Sequence, residues 1–264
     1  MGFKGFLKKL VGGSNEQVSG GETGNNINIG KGREGIGRSG INLEKSIISL
    51  DKTLVNLTKK SGINLEKHMA KVAVVMDYSG SMAKLYKRGA VQDVLTRLIP
   101  LALKFDDNGE LEVWLFNDGF ARVEPMTINN YENYVNKEIR TLRFDMGGTY
   151  YEPVLRDILH KYFIEEADTS NIPTFLIFIT DGENFDPNQT DRVIIESSHK
   201  NIFIQFVGIG REDFKYLQKL DDLPGRPVDN IGFIKVEDIS QLNDEQLYSL
   251  LLDQYPDWLK NKPI

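Results

Sequence analysis

The chain has 264 residues, a formal net charge of −6 and no cysteine. The lack of cysteine excludes disulfide cross-links, thiol catalysis and metal sites built on thiolates. The three histidines lie far apart in the sequence, so we do not expect a histidine-rich zinc site. No apolar run reaches the ~18–20 residues that cross a bilayer, and the N-terminus is not typical of a secretory signal. We therefore expect a protein of a reducing, cytoplasmic compartment.

Charge is divided unevenly along the chain. Residues 1–71 contain 12 Lys/Arg and 6 Asp/Glu, whereas residues 72–264 contain 20 and 32. The acidic larger part argues against a nucleic-acid partner, because such binding depends mainly on neutralising phosphates. The basic N-terminal part and the acidic remainder of the chain indicate two different functions.

Residues 1–11 are predicted to form a short amphipathic segment. In a helix its apolar side chains would share one stripe and its lysines would lie elsewhere, which is typical of an interfacial anchor. This hypothesis puts the protein in peripheral contact with the inner face of the membrane. The alternative, a terminus that packs on its own protein, is favoured by the shortness of the segment. The residues concerned are Phe3, Phe6, Leu7 and Leu10, with Lys4, Lys8 and Lys9.

Residues 12–40 are dense in glycine, asparagine and serine, and we predict a flexible linker there. Residues 41–70 repeat a five-residue pattern (aliphatic, Asn/Ser, Leu, any, Lys) that begins at Ile41, Ile48, Val55 and Ile63. The two apolar residues of each repeat are two positions apart, the period of a strand. We therefore expect short strands or extended segments that dock on the main domain or pair with a partner's sheet edge.

From residue 71 onward strands and helices alternate, which predicts an α/β domain over residues 71–264. Such alternation implies a doubly wound, mostly parallel sheet with helices on both faces. In chain order the predicted elements are strand Val72–Met76, helix Tyr86–Phe105 (kinked or ended at Pro100), strands Leu111–Phe116 and Ala121–Glu124, helices Asn130–Arg140 and Glu152–Phe163, strand Thr174–Ile179, helix Asp191–His199, strand Ile202–Val207, helix Asp213–Leu220, strand Ile231–Val236 and helix Asp244–Leu252.

Three polar clusters lie at strand ends or in connecting loops of this domain. They are Asp-Tyr-Ser-Gly-Ser at residues 77–81, Gly-Gly-Thr at 147–149 and Thr-Asp-Gly-Glu at 180–183. In open α/β sheets ligands bind beyond the carboxyl ends of the strands. All side-chain ligands offered by the clusters are oxygens, which suits a hard divalent cation: Mg²⁺ above all, with Mn²⁺ or Ca²⁺ as alternatives.

These three motifs, in this order, resemble the metal-ion-dependent adhesion site of von Willebrand factor type A (vWA) domains, and the resemblance covers about Lys71–Ile239. It implies that the hydroxyls of Ser79, Ser81 and Thr149 reach the ion, and that Asp77 and Asp181 act directly or through bound water. In such domains an acidic residue of a partner protein completes the coordination, so that the metal bridges two proteins.

A narrower resemblance is to the TerF-like vWA proteins of bacterial tellurium-resistance clusters. The stretches that carry it are Tyr216–Arg226, Val228–Asn230 and Tyr255–Leu259, together with the Leu-x-Lys repeats before residue 71. It implies a role in a bacterial tellurium-resistance or stress-response system. We assign no calcium site of the kind found in TerD-type domains, because the chain before residue 71 is too short for one.

Several charged residues near the motifs have less specific interpretations. Asp145 is as well placed to support a metal ligand as to be solvated. Arg140 and Arg143 could orient a partner carboxylate, although surface solvation is the simpler interpretation. We interpret Glu183, Asp186 and Asp191 as solvated acids on a loop and at the start of a helix, where negative charge is favoured.

The leading hypothesis is a non-enzymatic, Mg²⁺-dependent protein-interaction module. The alternative is a Mg²⁺-dependent phosphatase-like hydrolase that uses Asp77 as the nucleophile. Phosphatases of that kind place a second Asp two residues further on, where this chain has Ser79. That leaves no acid in the motif to protonate the leaving oxygen.

Overall fold

The computed structural model describes residues 41–166, 171–182 and 184–263. The predictions for residues 1–11, 12–40 and Glu183 lie outside the described residues. Within those residues no helix combines the length and the apolar character needed to cross a membrane.

Six strands form a single sheet. They are β1 (Lys71–Asp77), β2 (Leu111–Phe116), β3 (Phe120–Met126), β4 (Thr174–Thr180), β5 (Ile202–Ile209) and β6 (Ile231–Val236). Their order across the sheet is β3-β2-β1-β4-β5-β6, and only β3, at one edge, is antiparallel to its neighbour. Strands β2 and β3 therefore lie on one side of β1, and strands β5 and β6 lie on the opposite side, beyond β4. This confirms the doubly wound, mostly parallel fold, and it places the switch in strand order between β1 and β4.

The helices are α1 (Leu43–Ser61), α2 (Ala83–Lys87), α3 (Ala90–Phe105), α4 (Glu152–His160), α5 (Pro187–Ser197), α6 (Lys215–Asp221), α7 (Asp244–Leu252) and α8 (Tyr255–Asn261). Short 3₁₀ turns lie at Leu65–Lys67 and Ile239–Gln241, and single π-type turns at Val135–Ile139 and Lys161–Glu165.

Both faces of the sheet are covered, so the central strands are buried at nearly every position and not at alternate ones. All seven residues of β4 are buried, and so are all eight of β5. On one face Phe178 and Phe206 lie in a core that α4, α5 and α6 complete. On the other face the rings of Phe175 and Phe203 contact Tyr255 of α8 at centroid distances of 4.7 and 5.5 Å.

Two predicted helices, Tyr86–Phe105 and Asn130–Arg140, differ in course from the observed structure. The helix predicted from Tyr86 is two helices, because Gly89 adopts a left-handed φ of +84° between α2 and α3. Pro100 neither ends nor visibly divides α3; the apolar residues buried on both sides of it outweigh the one hydrogen bond that proline removes. The helix predicted over Asn130–Arg140 is reduced to one π-type turn that follows Asn133, whose φ is +61°.

The prediction of strands in residues 41–70 is wrong, because most of this segment is helix α1. The informative period is the seven residues between repeats and not the two residues within each repeat. Leu43, Leu50 and Leu57 are seven apart, and with Ile47 and Leu54 they form one buried helical stripe. The helix begins where the Asn42 side chain accepts the N–H of Lys45 and ends at Gly62, whose φ is +78°.

Helix α1 docks on the main domain, as the sequence led us to expect for this segment, although as a helix. It packs mainly against α7, and also against α3 and α8. The hydroxyl of Ser46 donates to Asp244 at the start of α7 (2.5 Å), and Lys104 of α3 donates to Asp51 (2.7 Å). The folded unit therefore begins before residue 71.

Substitutions in α1 test this correction. Leu54 is 0% exposed, whereas Ile48, also aliphatic and on the same helix, is 47% exposed. We expect Leu54→Ala to lower the free energy of unfolding by about 2–5 kcal/mol, and Ile48→Ala by less than about 1 kcal/mol. Urea denaturation of both variants measures the difference. Equal losses for the two would contradict the helical stripe.

Candidate metal centre

The three polar clusters meet at the carboxyl-end edge of the sheet. Asp77 is the last residue of β1 and Thr180 the last of the neighbouring strand β4. The two strands are in parallel register, with Met76 opposite Ile179, so the residues that follow leave the sheet side by side. The topology thus brings together side chains that are about a hundred positions apart in the sequence.

Asp77 is completely buried and is held by uncharged partners. Its Oδ1 accepts the N–H of Ser79 (2.8 Å), and its Oδ2 accepts the hydroxyl of Thr180 (2.6 Å). Burial raises the pKa of Asp77 to about 6, although the hydrogen bonds from Ser79 and Thr180 act to lower it. An ionised carboxylate here is costly without a countercharge, and neither hydrogen-bond partner supplies one.

Ser79, Ser81 and Asp181 form a chain of close oxygens. The hydroxyls of Ser79 and Ser81 are 2.9 Å apart, and that of Ser81 donates to Oδ1 of Asp181 at 2.7 Å. Ser79 is buried and Ser81 is exposed, so the chain leads from the interior to the surface. Burial, with a smaller contribution from the charge of Glu212, raises the pKa of Asp181.

The glycine turn that precedes Thr149 positions this residue beside the other oxygens of the site. Ser79 and Gly147 form an isolated parallel bridge, and the N–H of Gly80 donates to the carbonyl of Gly147 at 3.3 Å. Thr149 is buried, and a Cβ added to Gly182 would lie 3.7 Å from its hydroxyl oxygen. The five residues singled out in the sequence therefore converge at one site.

Two residues of the β2–β3 turn also belong to this neighbourhood and were missed in the sequence. The carbonyl of Asn117 accepts the N–H of Tyr150 at 3.0 Å. Asp118 accepts the N–H of Gly148 at 3.2 Å, and Cβ atoms added to Gly147 or Gly148 would lie 2.3 and 2.6 Å from its carboxylate oxygens. A side chain at either glycine would therefore have to displace the Asp118 carboxylate from this position. The signal was available, since Asn117 directly follows strand β2.

Asp186 corrects one of the predictions. It is buried and not solvated, and its carboxylate accepts the N–H groups of Tyr151 and Glu152, each at 3.0 Å. It thereby satisfies free N–H groups at the start of α4 and fixes the chain just after Thr149. No spacing rule would have revealed this, because the cap comes from a different loop.

The other charged candidates are less closely tied to the site. The side chain of Arg140 donates to the carbonyl of Tyr86 at 3.2 Å, and Arg143 is exposed. Asp145 is also exposed, and its carbonyl accepts the Asn117 side chain. Asp191 accepts the Tyr216 hydroxyl and the Lys219 ammonium at 2.9 and 2.8 Å.

The donor set suits a hard cation. In the described part of the chain, no three His, Cys, Asp or Glu side chains are grouped to hold a metal ion. At this site there are two carboxylates and three hydroxyls, and oxygen donors of this kind are those that Mg²⁺ takes together with water. Coordination of an ion here would require the three hydroxyls as well as the two carboxylates.

Comparison with known proteins agrees with this description. The chain is 42% identical over 217 residues to the Bacillus subtilis (strain 168) protein YcbR. The alignment covers 78% of this chain and 86% of YcbR. It is 30% identical over 148 residues to Copine-E of Dictyostelium discoideum, covering 52% of this chain and 25% of Copine-E.

Among solved structures, proximal thread matrix protein 1 from the mussel byssus aligns with 72% of this chain at a TM-score of 0.54 and 14% identity. The match covers 48% of the mussel chain, so the present chain spans less than half of that protein. At this level of identity the likeness concerns the fold alone.

A family model is decisive for the assignment. The vWA-TerF-like model, described as the vWA found in the TerF C terminus, matches residues 69–263. The match includes all six strands and all five converging residues. The chain therefore belongs to the vWA-TerF-like family.

Proposed function

We propose that this protein is a non-enzymatic interaction module that binds a divalent cation, Mg²⁺ in the first place and Mn²⁺ or Ca²⁺ as alternatives. The ligands we assign are Asp77, Ser79, Ser81, Thr149 and Asp181. The observation that carries the proposal is the convergence of these oxygens around a buried carboxylate that has no cationic partner in the described part of the chain. A bound cation would supply the countercharge that this carboxylate lacks.

The partner we propose is a protein that offers an acidic residue to the ion. Domains of the vWA family generally mediate protein–protein interactions. Ser81 is exposed and Asp181 partly exposed, so the outer side of the oxygen chain is open to a partner. With the inner side filled by Asp77 and Thr180, a group from outside would approach an ion only from the surface.

Thermal melting tests the cation site. A ligand at ~100 times its Kd stabilises by about 2.7 kcal/mol, which raises the Tm of a domain of this size by about 5–11 °C. We expect millimolar Mg²⁺, added after EDTA, to produce such a shift in the wild type and not in Asp77→Ala or Asp181→Asn. Asp181→Asn is the more informative variant, because Asp181 is only partly buried and its replacement should not disturb folding.

Asp253→Asn is the matched control, since Asp253 is exposed and pairs with Lys60 away from the candidate site. It should shift as the wild type does. A wild type that does not respond to tens of millimolar Mg²⁺, or an Asp181→Asn variant that responds fully, would contradict the proposal.

The hydrolase alternative finds little support in the geometry. The Asp77 side chain has no exposed surface, so a phosphate ester, which is far larger than a metal ion, has no open approach to its oxygens. His68 bonds to Tyr255 and His160 to Glu165, so neither is placed to act as an acid at this site. We expect no Mg²⁺-dependent turnover of an aryl phosphate. Turnover that disappears in Asp77→Asn would restore the hydrolase and remove the interaction module.

We further propose a cytoplasmic role in a bacterial tellurium-resistance or stress-response system. Support comes from the TerF-like family match. Because the chain has no thiol, we assign it protein contacts in such a system and not tellurium chemistry. A strain without the protein should grow less well on tellurite, and Asp181→Asn should not restore growth. Unchanged growth of the deletion strain would remove this role.

A further inference from the structure

Large apolar side chains are exposed at the edge of the sheet that carries the candidate metal centre. Phe185 is 62% exposed, Phe120 is 40% exposed and Met146 is 36% exposed; Phe185 and Met146 lie on two different loops at this edge, and Phe120 is the first residue of β3. Phenylalanine side chains are usually buried, so a group of exposed apolar residues beside a polar site indicates a contact surface.

Two aromatic pairs flank the turn formed by Gly147 and Gly148. Tyr78 stacks on Phe144 with ring centroids 5.8 Å apart, and Tyr150 meets Phe185 edge to face at 5.7 Å. Met146 lies between these pairs in the sequence. We call Tyr78, Phe144, Met146, Tyr150 and Phe185 the aromatic rim.

Backbone hydrogen bonds hold the rim against the site. The N–H of Gly147 donates to the carbonyl of Tyr78 at 3.4 Å, and the N–H of Phe185 donates to the carbonyl of Thr149 at 2.9 Å. A Cβ added to Gly148 would lie 3.2 and 3.4 Å from the Tyr150 and Phe185 rings. The rim is therefore largely organised before binding, and less ordering entropy is lost when a partner covers it.

The charges at this edge restrict which partner fits. Asp77, Asp118 and Asp181 are carboxylates of the site or directly beside it. A partner carboxylate would be repelled by these groups unless a cation lay between them. A partner ammonium would need no cation, which makes it the competing possibility.

We infer that the partner segment carries an acidic residue with aromatic or large aliphatic side chains directly beside it, the acid facing the cation and its neighbours packing on the aromatic rim. This inference rests on the proposed cation-bridged interaction and extends it from one bridging atom to a recognised sequence type. The acid provides cation dependence, and the apolar neighbours provide affinity and selectivity.

Synthetic peptides separate these contributions. We would titrate the full chain, with saturating Mg²⁺ and with EDTA, with four N-acetylated and C-amidated peptides. They are Gly-Phe-Asp-Phe-Gly, its glycine-flanked form Gly-Gly-Asp-Gly-Gly, its uncharged form Gly-Phe-Asn-Phe-Gly and its basic form Gly-Phe-Lys-Phe-Gly. Binding can be followed by NMR at the methyl group of Met146, assigned through Met146→Leu.

With Mg²⁺ present, we expect the Phe-flanked acidic peptide to bind at least about tenfold more tightly than the glycine-flanked one. Burial of the phenylalanine side chains provides enough binding free energy for a change in Kd of this size. In Phe185→Ser this advantage should fall below about twofold. Ile164→Ser is the matched control, because Ile164 is 64% exposed and lies beyond α4, outside the rim. It should keep the full advantage.

The outcomes are distinguishable. If the two acidic peptides bind equally, or Phe185→Ser keeps the preference, the aromatic rim is not the recognition surface. No measurable binding of the Phe-flanked acidic peptide at millimolar concentration, while Mg²⁺ still raises the Tm, would overturn the inference and leave the cation site standing. If the uncharged peptide binds as well as the acidic one, or EDTA has no effect, the cation bridge is wrong although the rim is right. Preference for the basic peptide would overturn both.

Discussion

A buried carboxylate at the end of the central strand is the constraint on which this structure depends. Among the described residues, the Asp77 carboxylate accepts the N–H of Ser79 and the hydroxyl of Thr180, and both donors lie where the chain leaves the sheet at the switch between β1 and β4. An isolated buried charge is strongly disfavoured. The loops around Asp77 therefore need either to keep it protonated or to provide it with a cation, and their oxygens suit the second.

Other residues of the site hold those loops in position through hydrogen bonds to their backbone. The Asp118 carboxylate accepts the N–H of Gly148 and lies against Gly147 and Gly148, so a side chain at either glycine would have to displace it. Asp186, from a third loop, holds the start of α4 just beyond Thr149. The Thr149 hydroxyl is thus positioned from both sides by carboxylates that are not among the proposed ligands. Such supporting contacts commonly determine how well a metal site is organised.

The sheet and the five converging residues were predictable because short-range rules determine them. A continuous apolar run such as Thr174–Thr180 is typical of a strand buried on both faces, and the polar residues that follow it mark the carboxyl end. The supports were not predictable in the same way. From the sequence, Asp186 is interpreted as a solvated acid, and only the fold brings it to Tyr151. Asn117 is the exception, because it directly follows β2 and so has the same strand-end signal as the predicted residues.

The error in the N-terminal segment has a different origin. Ile48 and Leu50 are two positions apart and fit a strand, but in helix α1 the first is exposed and the second buried. Seven-residue spacing between repeats places Leu43, Leu50 and Leu57 on one face of a helix, so the longer period describes the packing. The helix then covers α7, which extends the folded unit beyond the part that the family model matches.

The central claim is that the five oxygens bind one ion. The most direct measurement is an anomalous difference map, collected at the manganese edge, from crystals of the full chain grown with Mn²⁺. The account predicts one dominant peak within ligand distance of the Ser79 and Ser81 hydroxyls, and its loss in crystals of Asp181→Asn. A dominant peak elsewhere, or none at these loops at saturating Mn²⁺, would contradict it.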